Sequence, residues 1–305
     1  MTSPADPNIL DSSMEQETTK RPDWLKVRMP QGPNYGEIKG LLRGLTLHSV
    51  CEEAHCPNIG ECFESRTATF LILGRVCTRN CRFCAVESGR PTELDLAEPE
   101  RVAQATSTLQ LRHVVVTSVT RDDLEDGGSD IFAETVRRVR ELVPGCSIEV
   151  LIPDFQGSEA SLETVVRARP DILNHNVETV ARLSPLVRPK ANYERSIEVL
   201  YHARQMDATI VTKSGVMVGL GETMDEVLEA MRDLREADCN ILTIGQYLSP
   251  SKQHLPVQRY CSPEEFAHLR AEGERMGFGH VEAGPLVRSS YHAKMQLEGM
   301  GKTGG

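Results

Sequence analysis

From residue 67 onward, short apolar runs rich in β-branched residues alternate with longer amphipathic segments. The runs are "TATFLILG" (67–74), "RHVVVTSV" (112–119), "CSIEVLIPDF" (146–155), "DILNHNVE" (171–178), "TIVTKSGVMVGLGE" (209–222) and "NILTIGQYL" (240–248). Their length and composition predict six β-strands. Between them, "AEPERVAQATSTLQ", "DIFAETVRRVRELV", "ANYERSIEVLYHARQM", "TMDEVLEAMRDLREAD" and "SPEEFAHLRAEGERMG" repeat apolar residues every three or four positions. That period predicts helices, several opened by Ser, Thr or Asp caps, with proline in the first turn of "SPEEF". Strands alternating with helices predict βαβ units and a parallel sheet, either doubly wound or curled toward a barrel. Several strands finish in polar residues ("TSVTRDD", "IPDFQG", "NHNVE", "GLGE", "GQYLSPS"). A ring of polar strand ends is what a barrel rim would carry.

Ahead of this pattern the chain reads differently. Residues 1–22 are polar with scattered Pro and Ser and predict a flexible tail. Residues 23–66 hold apolar pieces broken by Pro and Gly, as expected of an extension wrapping the core. With 39% hydrophobic and 26% charged residues in 305, the balance is that of one large α/β domain with extensions. Lys and Arg number 34 against 44 Asp and Glu, a net charge of −10 without any basic run, which argues against a nucleic-acid partner. The N-terminus lacks the basic start and apolar stretch of a secretory signal and the arginines of a transit peptide. No apolar segment approaches the roughly 20 residues of a membrane span. The expectation is a cytoplasmic protein without a membrane partner, in which clustered cysteines are metal ligands rather than disulfides.

Six of the nine cysteines fall in "CEEAHCPNIGECFESRTATFLILGRVCTRNCRFC" (51–84), as the triplets Cys51, Cys56, Cys62 and Cys77, Cys81, Cys84. The second has the spacing CxxxCxxC just after the first expected strand. Three thiolates would leave one iron of a cubane cluster without a cysteine and open to a small molecule. Structural zinc uses paired CxxC or Cys/His sets, and only Cys81–Cys84 is a CxxC. A ferredoxin-type carrier would present four cysteines per cluster. The isolated Cys146, Cys239 and Cys261 read as buried structural residues. "GLGE" (219–222) is either a tight turn or a place where backbone approaches a ligand, and "RDDLEDGG" (121–128) either a solvated loop or part of the rim. Asn174, Asn176 and Glu178 alternate as inward-pointing groups on one strand face would. Taken on spacing alone, Arg288, Ser289 and Ser290 form a polar cap over the barrel mouth.

The CxxxCxxC loop resembles that of the radical S-adenosylmethionine enzymes. Together with the CxxxxCxxxxxC triplet, "RVCTRNCRFC", "RDDLEDGG", "LIPDF", "NHNVET", "VTKSGVMVGLGE", "QYL" and "GPLVRSSYHA", all in one order over residues 22–294, the chain resembles the lipoyl synthase family. The resemblance implies an α/β fold, a partial (β/α)6 radical-SAM barrel over residues 67–284. Residues 23–66 would be an N-terminal cluster-binding extension, and residues 285–305 a capping segment with the Arg-Ser-Ser motif and a flexible tail.

It also implies two [4Fe–4S] clusters. One, on Cys77, Cys81 and Cys84, would chelate the cosubstrate S-adenosylmethionine and cleave it to a 5′-deoxyadenosyl radical, with Phe83 near the adenine. Asn176, Glu178, Gly219, Gly221 and Arg288 would be further cofactor contacts. The auxiliary cluster would be held by Cys51, Cys56, Cys62 and Ser290, with Ser289 as fallback, and consumed as the sulfur donor. The reaction implied is insertion of two sulfurs at C6 and C8 of an octanoyl-lysine chain, a sulfurtransferase activity. Implied partners are an octanoylated lipoyl carrier domain or glycine-cleavage H protein, a flavodoxin- or ferredoxin-type electron donor and an iron–sulfur cluster carrier, with the chain itself a monomer. The competing readings are a methylthiotransferase-like enzyme with two clusters and a non-catalytic iron–sulfur carrier.

Overall fold

A computed structural model describes residues 21–25, 32–64, 67 and 69–290. Residues 1–20 of the tail expected over 1–22, and residues 291–305 of the segment expected over 285–305, lie outside the described residues.

The extension begins with helix α1 (Pro33–Gly44), whose Ile38 and Leu42 are buried. It continues through strand β1 (His48–Ser49) into the short helices α2 (Val50–Glu53) and α3 (Ile59–Glu64). Strands β2 (Thr69–Ile72), β3 (His113–Ser118), β4 (Ser147–Leu151), β5 (Ile172–Asn174), β6 (Val211–Val218), β7 (Ile241–Gln246) and β8 (His280–Gly284) follow in spatial order. Neighbours from β2 to β8 are parallel, and β1 joins the edge of β2 antiparallel. Helices α4 (Glu98–Thr108), α5 (Ser129–Leu142), α6 (Glu159–Arg167), α7 (Ser184–Val187), α8 (Tyr193–Met206), α9 (Met224–Glu236) and α10 (Pro263–Arg275) supply the crossovers.

The helices form where their sequences demand it. In α5 the buried Ile131, Phe132, Val136 and Val139 lie at helical spacing, and each such side chain stabilises the packed state by about 2 kcal/mol. Helices α9 and α10 open with capping boxes, Thr223 with Glu226 and Ser262 with Glu265. Each cap contributes about 1 kcal/mol and fixes where the chain leaves the strand end.

Alternation sorts the strands into two faces. Phe70, Ile72, Val114, Val116, Leu242 and Ile244 belong to the hydrophobic core. Thr69, Leu71, Thr117, Leu151, Gly215, Met217, Thr243 and Gly245 line one cavity instead. Residues of β2, β3, β4, β6 and β7, and His175 and Asn176 just after β5, reach that cavity, so the sheet curls around it. No pairing joins β8 back to β1 among the described residues, leaving the barrel partial.

Three details depart from the sequence reading. Among the described residues the sheet has eight strands rather than six, because β1 and β8 were not anticipated. Both are edge strands, and only Val281 of β8 is buried, so neither carries an apolar run. Helix α6 was also unanticipated. Finally, β5 stops at Asn174, and Glu178 adopts a left-handed φ of 66°, so residues 174–178 are not one continuous strand face. Asn174 itself sits one layer deeper than the cavity and donates to Glu149 Oε1 at 2.9 Å, beside the fully buried Lys213–Glu149 ion pair.

Candidate active site

The chain leaves β2 through Leu73 (φ 67°) and Gly74 (φ 89°), then folds into a closed loop. The Cys77 N–H donates to Glu87 O and the Gly89 N–H donates to Cys77 O, both at 2.8 Å. The Cys84 N–H donates to Cys81 O at 3.1 Å, and His254 Nε2 meets Cys84 O at 3.0 Å. These bonds bring Cys77, Cys81 and Cys84 onto one wall of a cavity of about 550 Å³ at the strand C-termini. Phe83, between the last two cysteines, lines the same wall.

The other triplet approaches from the extension. Ser49 caps α2 by accepting from the Glu52 N–H, which places Cys51 on a single helical turn. The Cys56 N–H donates to Cys51 O, and the Cys62 N–H donates to Asn58 O. Cys51, Cys56 and Cys62 thereby face the cavity from outside the barrel mouth.

The C-terminal segment closes that side. Asn58, in the extension, donates to Leu286 O at 2.6 Å across 228 residues of sequence. A Cβ on Gly245 would lie 2.2 Å from Val287 O, and one on Gly215 would lie 2.9 Å from Ser289 Oγ. The two glycines thus form the bed on which residues 287–289 lie. Ser289 donates to Asn176 Oδ1 at 2.8 Å, and Asn176 in turn donates to Glu178 Oε1 at 3.1 Å. Ser290 lines the cavity with Arg288.

Between the triplets the wall is polar. Burial raises the Glu178 carboxyl, against the pull of the Arg188 guanidinium. Arg188 is buried and donates to Val177 O at 2.9 Å. The His175 ring meets Ile152 O through Nδ1 at 2.8 Å; a carbonyl only accepts, so that nitrogen carries the proton. Burial, together with the Arg188 charge, pushes this imidazole down to about 4, so it is neutral at physiological pH.

The cavity therefore gathers both triplets, Phe83, Asn176, Glu178, Arg288 and Ser290. It does not gather Gly219 or Gly221. These take φ of 100° and 107° in a turn where Glu222 accepts the Gly219 and Leu220 N–H groups, and the turn packs against Gln246 and the Arg259 carbonyl. "GLGE" is a tight turn held by its own acid. "RDDLEDGG" is at the rim, with Arg121 buried and Asp122 engaged by Arg79. Cys146, Cys239 and Cys261 are buried away from the cavity, as their isolation implied. The sequence reading missed Arg79, Asp154, His175, Arg188, Asn58 and the glycine bed. Asp154 lay in the quoted "LIPDF", and a buried acid after a strand was the available signal.

The donor set fits iron–sulfur clusters. Burial pushes the thiols of Cys62 and Cys84 up to about 12 and that of Cys81 to about 11, and raises Cys51 and Cys56 as well. For Cys56 the Asn58 N–H and the Arg288 charge oppose the rise. Thiolates in such surroundings need a cation to replace the proton. Among the described residues, no three His, Cys, Asp or Glu side chains converge on a point that one metal ion could occupy.

Comparison with known proteins agrees. Residues 71–234 match the model of the Radical SAM superfamily, and residues 7–56 match that of the N-terminal domain of lipoyl synthase of the Radical_SAM family. The chain is 61% identical to a lipoyl synthase of Rubrobacter xylanophilus, over 91% of this chain and 87% of the relative. It is 57% identical to one of Symbiobacterium thermophilum, over 94% and 90%. Among solved structures, methylornithine synthase superposes with a TM-score of 0.51 at 15% identity, covering 81% of each chain. The FeFe-hydrogenase maturase HydG from Carboxydothermus hydrogenoformans gives 0.52 at 16%, covering 86% of this chain and 78% of that one. At such identities these two speak for the fold alone.

Fold and cavity together define a radical S-adenosylmethionine enzyme, with a CxxxCxxC loop at the barrel's C-terminal mouth and a second thiol set opposite. Within that class the chain belongs to the lipoyl synthase family. Membership at this identity and coverage favours that reading over a methylthiotransferase or a non-catalytic carrier.

Proposed function

We propose that the shared cavity is where this chain converts a protein-bound octanoyl-lysine into the lipoyl cofactor, with a separate role for each cysteine triplet. In this reading Cys77, Cys81 and Cys84 hold the [4Fe–4S] cluster that binds S-adenosylmethionine. Cys51, Cys56, Cys62 and Ser290 hold the auxiliary [4Fe–4S] cluster. When bound, these groups supply a carbon-centred radical and the sulfur that replaces hydrogen at C6 and C8. Those carbons are unactivated, and no side-chain base removes their protons at any accessible pKa, so the protein must leave the chemistry to cofactors.

The residues supply position and enclosure. Phe83, Asn176, Glu178 and Arg188 line the wall beside the second triplet and offer an aromatic face, an amide, a carboxyl and a cation to the zwitterionic, nucleoside-bearing cosubstrate. Ser289 is engaged by Asn176, which leaves Ser290 as the hydroxyl available to the auxiliary cluster. The Val287–Ser289 segment on its glycine bed covers the cavity on that side and limits the entry of water. The cavity would hold the octanoyl chain beside both cysteine triplets at once. Gly219 and Gly221 shape the turn that follows β6, outside the cavity lining.

The partners proposed are an octanoylated lipoyl carrier domain or H protein, a flavodoxin- or ferredoxin-type reductant and an iron–sulfur cluster carrier, with the chain acting as a monomer in the cytoplasm. Among the described residues no helix is long and apolar enough to cross a membrane. One observation carries the reading: two triplets, from different parts of the chain, converge on one cavity whose lining also includes Ser290. Anaerobic incubation of the reconstituted protein with an octanoyl-lysine peptide, followed by mass analysis, tests it. Two added sulfurs are expected; an unchanged peptide with S-adenosylmethionine consumed would refute it.

A further inference from the structure

Arg79 lies inside the CxxxCxxC loop, and its guanidinium is only 5% exposed. Its Nε donates to Asp122 Oδ2 and its Nη2 to Asp122 Oδ1, both at 2.8 Å, and Nη2 also reaches Asp154 Oδ1 at 2.6 Å. Asp122 follows β3 and Asp154 follows β4, so one side chain ties the cysteine loop to two strand ends. Asp154 Oδ2 also receives Arg195 Nη1 at 3.4 Å. Thr78 adds a second fastening. Its N–H and its hydroxyl both donate to Thr120 O at 3.0 Å, and its Oγ1 accepts the Asp122 N–H at 3.0 Å. The loop registered in this way presents two donors to one sulfur: Cys77 Sγ accepts the Arg79 N–H at 3.4 Å and the Thr120 N–H at 3.3 Å.

A buried ion pair of this kind adds little net stability, because desolvation offsets most of the Coulomb gain; what it does fix is geometry. Only a guanidinium can fork onto one carboxylate and still reach a second. The three thiols are only partly buried, and N–H dipoles aimed at a cluster sulfur favour an added electron.

We propose that Arg79 is a positioning residue for the radical-generating cluster: its fork on Asp122 and Asp154 keeps two backbone N–H groups aimed at the Cys77 sulfur, and these raise the cluster's reduction potential. The inference rests on the assignment of Cys77, Cys81 and Cys84 to that cluster. The electron count is unaltered. One electron enters from an external one-electron reductant and leaves into the sulfonium, whose S–C5′ bond breaks to give methionine and a carbon radical. Arg79 changes only how easily the first transfer occurs.

The test uses the full chain carrying Cys51→Ala, Cys56→Ala and Cys62→Ala, so that a single cluster remains, reconstituted anaerobically and titrated with dithionite under EPR. Arg79→Lys keeps the charge and loses the fork, whereas Arg79→Gln loses both. Both are expected to disfavour reduction at least tenfold, a shift of about 59 mV to more negative potential for one electron. Thr78→Val, which loosens the same loop and leaves the guanidinium in place, is expected to shift the potential in the same direction by less, and it decides the matter should the Arg79 variants fail to load iron. An unchanged potential in Arg79→Lys, or a shift in Arg79→Gln alone, would overturn the positioning role and leave the cluster assignment standing. Failure of the triple-alanine background itself to bind a redox-active cluster would overturn both.

Discussion

The two cysteine triplets face one cavity but are built on different principles. Cys77, Cys81 and Cys84 sit on a single closed loop, bonded to itself at Cys77 and Glu87 and clamped to the ends of β3 and β4 by Arg79. Cys51 and Cys62 sit on two short helices with Cys56 in the connection between them, and their cover comes from the far end of the chain through Asn58 and Leu286. The first site is encoded locally and finished once the barrel folds. The second is complete only when extension, barrel and C-terminal segment have met. On the proposed assignment, a cluster that acts repeatedly suits the rigid loop, and one rebuilt after being consumed suits an assembly held by a few separable contacts.

The largest effect expected from this contrast is a split in chemistry. Alanine at Cys77, Cys81 or Cys84 should abolish both methionine release from S-adenosylmethionine and sulfur insertion. Alanine at Cys51, Cys56 or Cys62 should abolish insertion and spare methionine release, as read by chromatography of both products. Next comes the serine pair. Ser290→Ala should lower lipoyl product on the order of a hundredfold, as for a lost ligand. Ser289→Ala, which removes one hydrogen bond worth about 1 kcal/mol, should lower it by about fivefold. Equal losses in the two would break the assignment of the ligand.

Gly245→Ala should act on the auxiliary side alone. Its new methyl group meets the Val287 carbonyl, and the displacement should cost about 1–3 kcal/mol of docking for the C-terminal segment. Product formation should fall about tenfold while methionine release stays near wild type. The last effect is on stability rather than turnover and concerns His175 on the cavity wall. Its folded value of about 4 lies below the ordinary 6.5, so the unfolded chain takes up a proton that the folded chain refuses. Stability should therefore fall as pH drops from 6.5 toward 4, by on the order of 3 kcal/mol over that window. In urea unfolding of the cluster-free chain, His175→Gln should flatten this slope, and an equally steep variant would contradict the buried neutral imidazole.

The same contrast marks what could be read from sequence. The six central strands were legible because buried parallel strands are continuous apolar runs, and the CxxxCxxC loop because its ligands are neighbours in the chain. The edge strands β1 and β8 were not, since half-exposed residues such as His280 and Glu282 mask the pattern. "GLGE" misled because paired glycines with an acid fit a ligand-binding turn as well as a turn closed by its own Glu222. Asn174 misled because period-two alternation assumes a strand that in fact ends there. The partners Asn58–Leu286 and Arg79–Asp154 are long-range pairs that no local period reveals, and the glycine bed becomes visible only once the C-terminal segment lies over it.

The claim on which these comparisons depend is that each triplet carries its own cubane. Anaerobic iron and acid-labile sulfide analysis with Mössbauer spectroscopy tests it most directly, on the wild-type chain and on the two triple-alanine variants. About eight irons per wild-type chain and about four in either variant are expected. Four irons in the wild type, or loss of all iron when one triplet is removed, would contradict it.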